Sequence, residues 1–190
     1  MNSIILIGGG GHCKSVIDVI EQENRYKIAG IIDKKELIGQ YVLGYKIIAC
    51  DDDLDQLFKS YKNAIVTVGQ IESPKLRVKL FTKLKTIGYN TPTIISPLAY
   101  VSKHATISEG TIIMHQVLVN ASVNIGKNCI INTKALIEHD TKIEDNCHIS
   151  TASVINGGVT VKDGTFFGSN ATSKEYNQID GFIKAGSMAK

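Results

Sequence analysis

Tryptophan is absent from the 190 residues, and the aromatic side chains amount to only 5 phenylalanines and 7 tyrosines. Lys and Arg are scattered, and the net charge is only +3. A nucleic-acid-binding surface needs a basic stripe, usually with aromatic rings to stack on bases, so neither requirement is met and no nucleic-acid partner is expected. No apolar run approaches the roughly 18 residues that would span a bilayer, so no membrane partner is expected either. The opening MNSIILIGGGGH has too short an apolar stretch and no basic leader to read as a signal peptide. The four cysteines, Cys13, Cys50, Cys129 and Cys147, include no CxxC pair, which argues against disulfide staples and a zinc site. A reducing cytoplasm is the expected location. The five histidines have no metal-ligand spacing, and no metal is expected.

What is present falls into two halves with different periods. Residues 1–92 read as an α/β domain. Ser3 to Ile7 is a short apolar strand that runs into four glycines. His12 to Glu23 follows, with Val16, Ile17, Val19 and Ile20 on one helical face. Lys27 to Ile32 is a second strand ending at Asp33, and Ala64 to Val68 a third. Pro74 then starts a helical segment that runs to Ile87. Strand, glycine turn, helix and strand make a βαβ unit and hence a small Rossmann-like parallel sheet.

From residue 93 to 190 a six-residue period takes over. Sampling every sixth residue from Val101 to Ala185 gives Val, Ile, Phe or Ala at fourteen of fifteen positions, with Ser173 the exception. Hexad periodicity is the signature of a parallel β-helix. Each hexad forms one flat face, three faces make a coil of 18 residues, and Ile107, Ile125 and Ile143 should stand in one column. Cys129 and Cys147, also 18 apart, should stack as small core residues.

Several short motifs lie along this frame: Gly8-Gly9-Gly10-Gly11-His12, Ile32-Asp33, Val68-Gly69, Ile131-Asn132-Thr133, Glu138-His139-Asp140 and His148-Ile149-Ser150. In this order they resemble the bacterial left-handed β-helix sugar acetyltransferases, in the branch containing sialic acid O-acetyltransferases and bacillosamine-type UDP-4-amino-sugar N-acetyltransferases. The chain departs from that pattern at Ser96-Pro97, where the family usually has His-Pro. The resemblance, and not the period, implies a left-handed coil, a homotrimer, and acetyl-CoA as cosubstrate.

His139 and His148 are nine residues apart, which is half a coil. At about 3.3 Å per residue they should lie roughly 15 Å apart on opposite sides of a prism, so a shared site needs two subunits side by side. The resemblance assigns His139 as the general base, a task suited to imidazole because it titrates near neutral pH. Asp140 would orient it. Gly157, one coil later, matches a position whose N–H meets the oxyanion, and Asn132 and His148 match substrate- or coenzyme-contacting positions. His104 and His115 carry no motif and read as structural or solvated.

The glycine loop has three readings, the plainest being a tight turn that needs glycine for its geometry alone. As GxGxxG, Gly8 and Gly10 fit, Cys13 replaces the third glycine, and Asp33 falls at the distance of a ribose-binding acid. That would be a dinucleotide site, although the sheet is short for two mononucleotide halves. The resemblance implies instead that Gly8, Gly10, Gly11, His12, Asp33 and Gly69 hold the nucleotide end of a nucleotide-sugar, with phosphate at the helix N-terminus. The expected activity is N-acetylation of a UDP- or dTDP-linked amino sugar for surface glycan synthesis. O-acetylation of sialic acid or another nonulosonic acid is the alternative. A third reading is a non-catalytic sugar-binding trimer.

Overall fold

The computed structural model describes residues 2–190. Two compact units are present: one is formed by residues up to Gly69 together with Lys75–Pro92, the other by Gln70–Pro74 together with Thr93–Lys190.

The first unit is a five-stranded sheet with helices. β1 (Asn2–Ile7) lies between β2 (Tyr26–Ile32) and β5 (Asn63–Val66), parallel to both, with Ile7 beside Ile32 and Val66. Ile4, Ile5, Leu6 and Ile7 are fully buried, as a central parallel strand covered on both faces requires. α1 (Gly11–Glu23) buries Cys13, Val16, Ile17, Val19 and Ile20 and ends at Asn24, whose left-handed φ of 55° caps the last turn. α3 (Lys75–Ile87), which follows the four-residue α2 (Leu54–Leu57), starts one residue after Pro74. Its Arg77 is fully buried, and Nη1 donates to the carbonyls of Val66 (2.8 Å) and Val68 (2.9 Å) at the end of β5.

Two features depart from the sequence reading. The sheet is mixed, because β3 (Tyr41–Val42) pairs antiparallel with β4 (Tyr45–Ala49) at one edge. Their two-residue turn, Leu43-Gly44, takes positive φ at both positions, and leucine at the first hides a hairpin that asparagine or glycine would announce. The third strand ends at Val66, not Val68. Thr67 Oγ1 donates to Gly8 O (2.6 Å) there, and the chain leaves the ladder.

The second unit is a three-sided parallel β-helix of two-residue strands. The first face runs from Ile94–Ile95 to Phe182–Ile183, the second from Tyr100–Val101 to Met188–Ala189, and the third from Thr106–Ile107 to Gln178–Ile179. Strands pair with those eighteen residues on, so that Ile107, Ile125 and Ile143 form one column. The turns repeat as regularly: Gln116, Ser122, Asn128, Lys134, Asp140 and their successors every sixth residue to Tyr176 have positive φ. Cys129 and Cys147 are buried free thiols, and Cys147 N–H donates to Cys129 Sγ (3.4 Å). The hydrogen bond with Cys129, with burial, holds the Cys147 thiol far above its ordinary range.

The stack is one hexad longer at its start than the sampled column, because Ile94–Ile95 already pairs with Ile112–Ile113. At its end the phase changes. Ile183 pairs with Phe167 and Ala189 with Ser173, sixteen residues back rather than eighteen. Ala185 is therefore exposed in a turn, and Ile183 takes its expected place. The shortening falls at Asp180-Gly181, where Gly181 has φ +76°.

Candidate active site

The turns that follow the second face stack Ala121-Ser122, His139-Asp140, Gly157-Gly158 and Glu175-Tyr176 in one column, tied by Asp140 N–H to Ala121 O (3.2 Å), Gly158 N–H to His139 O (2.9 Å) and Tyr176 N–H to Gly157 O (2.9 Å). His139 is half exposed, at 52% of its side chain. Its Nδ1 lies 2.8 Å from Asp140 Oδ2. A carboxylate oxygen accepts only, so Nδ1 carries the proton and Nε2 presents its lone pair. The imidazole lies against Gly157. A methyl group added there would sit 2.9 Å from both His139 Cε1 and Nε2, closer than real contacts allow.

The backbone N–H groups of this column are treated unequally. Ala121 N–H is capped by Asn120 Oδ1 (2.8 Å), and His139 N–H by Glu138 Oε2 (3.3 Å). Asn120 Nδ2 also donates to Glu138 Oε2 (2.9 Å), which ties the two caps together. Among the described residues, Gly157 N–H has no acceptor. A base with a free lone pair thus stands beside an open backbone donor, on a surface with no side chain between them. Such a pair can take a proton from an attacking group while stabilising a developing oxyanion.

His148 is placed differently. It opens a strand of the first face and is 7% exposed. Its Nδ1 lies 2.5 Å from the backbone carbonyl of Gln70, and its Nε2 lies 3.2 Å from Asn132 Nδ2. The carbonyl can only accept, so Nδ1 again carries the proton. Asn132 Oδ1 accepts from Thr133 N–H (2.8 Å), which fixes the amide with nitrogen toward the ring. Gln70 Nε2 in turn donates to Asn146 O (2.9 Å) and Gly164 O (3.3 Å). Asn132 and His148 are thus brought together, in a cluster separate from the His139 turn. Gln70 was invisible to sequence reading, because no motif marks a glutamine whose partners are 76 and 94 residues away. His115 Nδ1 meets Ser96 Oγ at 2.6 Å, where that Ser-Pro stands.

In the first unit the glycine loop joins β1 to α1. Gly8 needs its residue type twice over: φ is +103°, and a side chain would overlap Val68. Gly9 N–H donates to Asp33 Oδ2 (2.5 Å), and Lys34 N–H donates to Asp33 Oδ1 (2.7 Å). Asp33 therefore ties the loop to the end of β2. Gly10 and Gly11 differ from both. Neither has positive φ, and nothing lies within 4 Å of where a Cβ would stand. His12 is in the first turn of α1, with its Cβ 3.6 Å from the Cβ position of Gly69. Beside the loop is a cavity of about 210 Å³ lined by Gly8, Ile32, Asp33, Asp51, Val68 and Leu80, among others. It lies at the carboxyl ends of the strands, where open α/β sheets bind ligands. Burial pushes the Asp51 carboxyl up, an effect that nearby Lys83 opposes.

A larger cavity, of about 430 Å³, lies over the third face between Thr106, Asn124, Lys142 and Asp163. None of the candidate site residues lines it. Its Glu144 is engaged with Lys142 and Lys162, both at 3.4 Å. No helix among the described residues is long and apolar enough to cross a membrane.

Residues 3–84 match the model of the PglD N-terminal domain family. No curated protein matches the sequence. Among solved structures, a histidine-to-asparagine variant of perosamine N-acetyltransferase from Caulobacter crescentus, in complex with CoA and GDP-perosamine, is 30% identical with a TM-score of 0.93, covering 100% of this chain and 89% of that one. PerB from the same organism, with the same two ligands, gives 30% identity and a TM-score of 0.92 over the same shares. The acetyltransferase domain of PglB from Neisseria gonorrhoeae FA1090 shares the fold at 23% identity, with a TM-score of 0.91 over 100% of this chain and 92% of that one. An α/β unit with a bare glycine loop is thus followed by a left-handed hexad stack, matched over its whole length at 30% identity. The chain belongs to the hexapeptide-repeat sugar acetyltransferase family and is an acyltransferase.

Proposed function

We propose that the protein transfers the acetyl group of acetyl-CoA to the amine of a nucleotide-linked amino sugar, with His139 as general base. The observation that carries this reading is the open Gly157 N–H beside the free Nε2 of His139. The neutral amine attacks the thioester carbonyl carbon, and the carbonyl electrons move to oxygen, where Gly157 N–H donates to the developing charge. His139 Nε2 takes the proton that the nitrogen gives up. Asp140 holds the ring in the Nδ1–H form and stabilises the imidazolium. Collapse of the intermediate breaks the C–S bond, and the proton passes to the departing thiolate.

The first unit holds the nucleotide. Gly10 and Gly11 are glycine where neither φ nor a neighbour demands it, which fits close approach of a diphosphate to the N-terminus of the thirteen-residue α1. Gly8, Asp33 and Gly69 shape the loop, and His12 opens the helix beside it. Asn132, its amide fixed by His148, is a substrate contact, and His148 serves the coenzyme side through that amide. The perosamine enzymes carry a GDP-linked sugar, so a guanosine diphosphate handle stands beside the UDP and dTDP candidates.

The working form is a homotrimer. The second face presents an outward row of Tyr100, Leu118, Leu136 and Val154, followed by Thr172 and then Met188, with Tyr100 62% and Met188 63% exposed. Four apolar side chains in succession mark an interaction surface, and the His139 column runs along its edge. A neighbour seated there would complete the coenzyme groove. The reaction belongs in the cytoplasm, where acetyl-CoA is available, and serves surface glycan synthesis.

The test is release of free thiol from acetyl-CoA with a panel of UDP-, dTDP- and GDP-linked amino sugars, run beside light scattering. Turnover with at least one amine and the mass of three chains are expected. Thiol release with sialic acid alone would replace the amine by a hydroxyl acceptor, and a fully active monomer would remove the subunit boundary.

A further inference from the structure

Along the second face, neighbouring rungs are joined in a repeating way just before the turn. Asn120 N–H donates to Ile137 O, Glu138 N–H to Ile155 O, and Lys174 N–H to Ala189 O, each at 2.9 Å. One rung breaks the series. Asn156 N–H donates to Ser173 Oγ (2.8 Å) instead of the Ser173 carbonyl, and that carbonyl accepts from Asn156 Nδ2 (2.6 Å). The pairing of the strands reflects the change, because only Val154 and Thr172 remain in register there.

Ser173 is the single polar residue in the sampled hexad column, and it is 1% exposed. A hydroxyl buried so deeply must find its partner inside the protein. It finds one in the rung, where it stands in for its own carbonyl. The released carbonyl then captures the Asn156 amide. Glu138 and Asn120, at the equivalent places one and two coils earlier, use their side chains to cap the next N–H. Asn156, tied to Ser173, does not cap Gly157.

We infer that Ser173 and Asn156 are positioning residues that keep the Gly157 N–H uncapped, because the irregular rung ties up the one side chain placed to cap it. The inference rests on the role proposed above for Gly157. Removing the Ser173 hydroxyl restores the ordinary bond from Asn156 N–H to the Ser173 carbonyl. The Asn156 side chain is then released to cap Gly157 N–H, as Asn120 caps Ala121.

The experiment compares Ser173→Ala, Ser173→Thr, Asn156→Ala and the Ser173→Ala/Asn156→Ala double variant in the full-length protein. Each is assayed with acetyl-CoA and the nucleotide amino sugar that turns over fastest in the panel. Ser173→Ala should lower kcat about 100-fold, the scale of losing one oxyanion donor, while KM for acetyl-CoA changes less than about threefold. Its melting temperature should hold or rise, which a purely structural serine would not allow. Ser173→Thr keeps the hydroxyl and should retain activity. The double variant has no side chain left to cap Gly157 and should recover most of the lost rate. A Ser173→Ala enzyme with unchanged kcat, or a double variant no faster than Ser173→Ala, overturns the inference.

A second readout separates this failure from failure of the underlying role. In glycine-¹⁵N-labelled protein, the Gly157 amide signal should shift when acetyl-CoA is added to the unaltered chain, and less in Ser173→Ala. No shift in the unaltered chain removes Gly157 as the donor. Equal shifts in both, with normal turnover, remove only the role of Ser173.

Discussion

The glycine loop of the first unit and the His139 turn of the second both leave backbone N–H groups uncovered, by opposite routes. In the loop, local composition does it. Gly8 supplies a positive φ and Gly9 leans on Asp33, so Gly10 and Gly11 stand clear with no side chain of their own. In the stack, covering depends on the residue before the turn, and Asn120 and Glu138 close the N–H that follows each of them. The open donor at Gly157 arises where one rung departs from its neighbours. A loop can be bare for want of side chains, whereas at Gly157 the side chain placed to cover the N–H is held elsewhere. The repeat therefore carries its own controls, with the same turn position in covered and uncovered versions 18 residues apart.

The strongest way to break this comparison is His139→Ala. The residue is half exposed and supports no core packing, so kcat should fall about 100-fold or more with the melting temperature unchanged. Thiol release and thermal unfolding together decide it, and full activity would strip the stack of its assigned base. Gly157→Ala comes next. The added methyl collides with the imidazole, and a displacement of about 1 Å at a reacting group can cost on the order of 100-fold in rate. The coil should still fold, because the φ of Gly157 is not in the glycine-favouring region.

A smaller effect, on binding rather than rate, sharpens the other side. Gly10→Val has open space around it, so KM for the nucleotide sugar should rise about tenfold, or roughly 1.4 kcal/mol, with kcat and melting little changed. Gly8→Val, two residues away, should instead cost roughly 1–3 kcal/mol of stability from backbone strain alone, more with the overlap at Val68. Denaturant unfolding and steady-state kinetics on the two variants separate a glycine kept for a ligand from one kept for the fold. The smallest change is expected from Cys147→Ala. It removes a stacked core thiol, and a loss of about 1 kcal/mol would fit a packing role.

Much of this was legible in the sequence, because a period of six and a run of four glycines are local patterns. The hexad columns, the β1–α1–β2 unit and the pairing of His139 with Asp140 all follow from residues close in sequence or related by a fixed step. What escaped depends on single departures. The β3–β4 hairpin hides behind Leu43, and the last coil loses its phase at Asp180-Gly181. Ser173 was visible as an exception in the column, but its consequence needed the rung geometry. The placement of His148 against Gln70 and Asn132 could not be read, since the glutamine arrives from a segment 78 residues away. Periodicity specifies what repeats and says nothing of what crosses it.

Gln70–Pro74 is such a crossing, and it bears on how the molecule can be taken apart. The polypeptide leaves the first unit at Gly69, lends five residues to the second, and returns at Lys75. A fragment begun at Thr93 would arrive without the glutamine that braces Asn146 and Gly164, and without the carbonyl that fixes the ring of His148. Grafting the coil onto another scaffold therefore calls for a short peptide supplied in trans or a rewired linker, not a single pair of scissors.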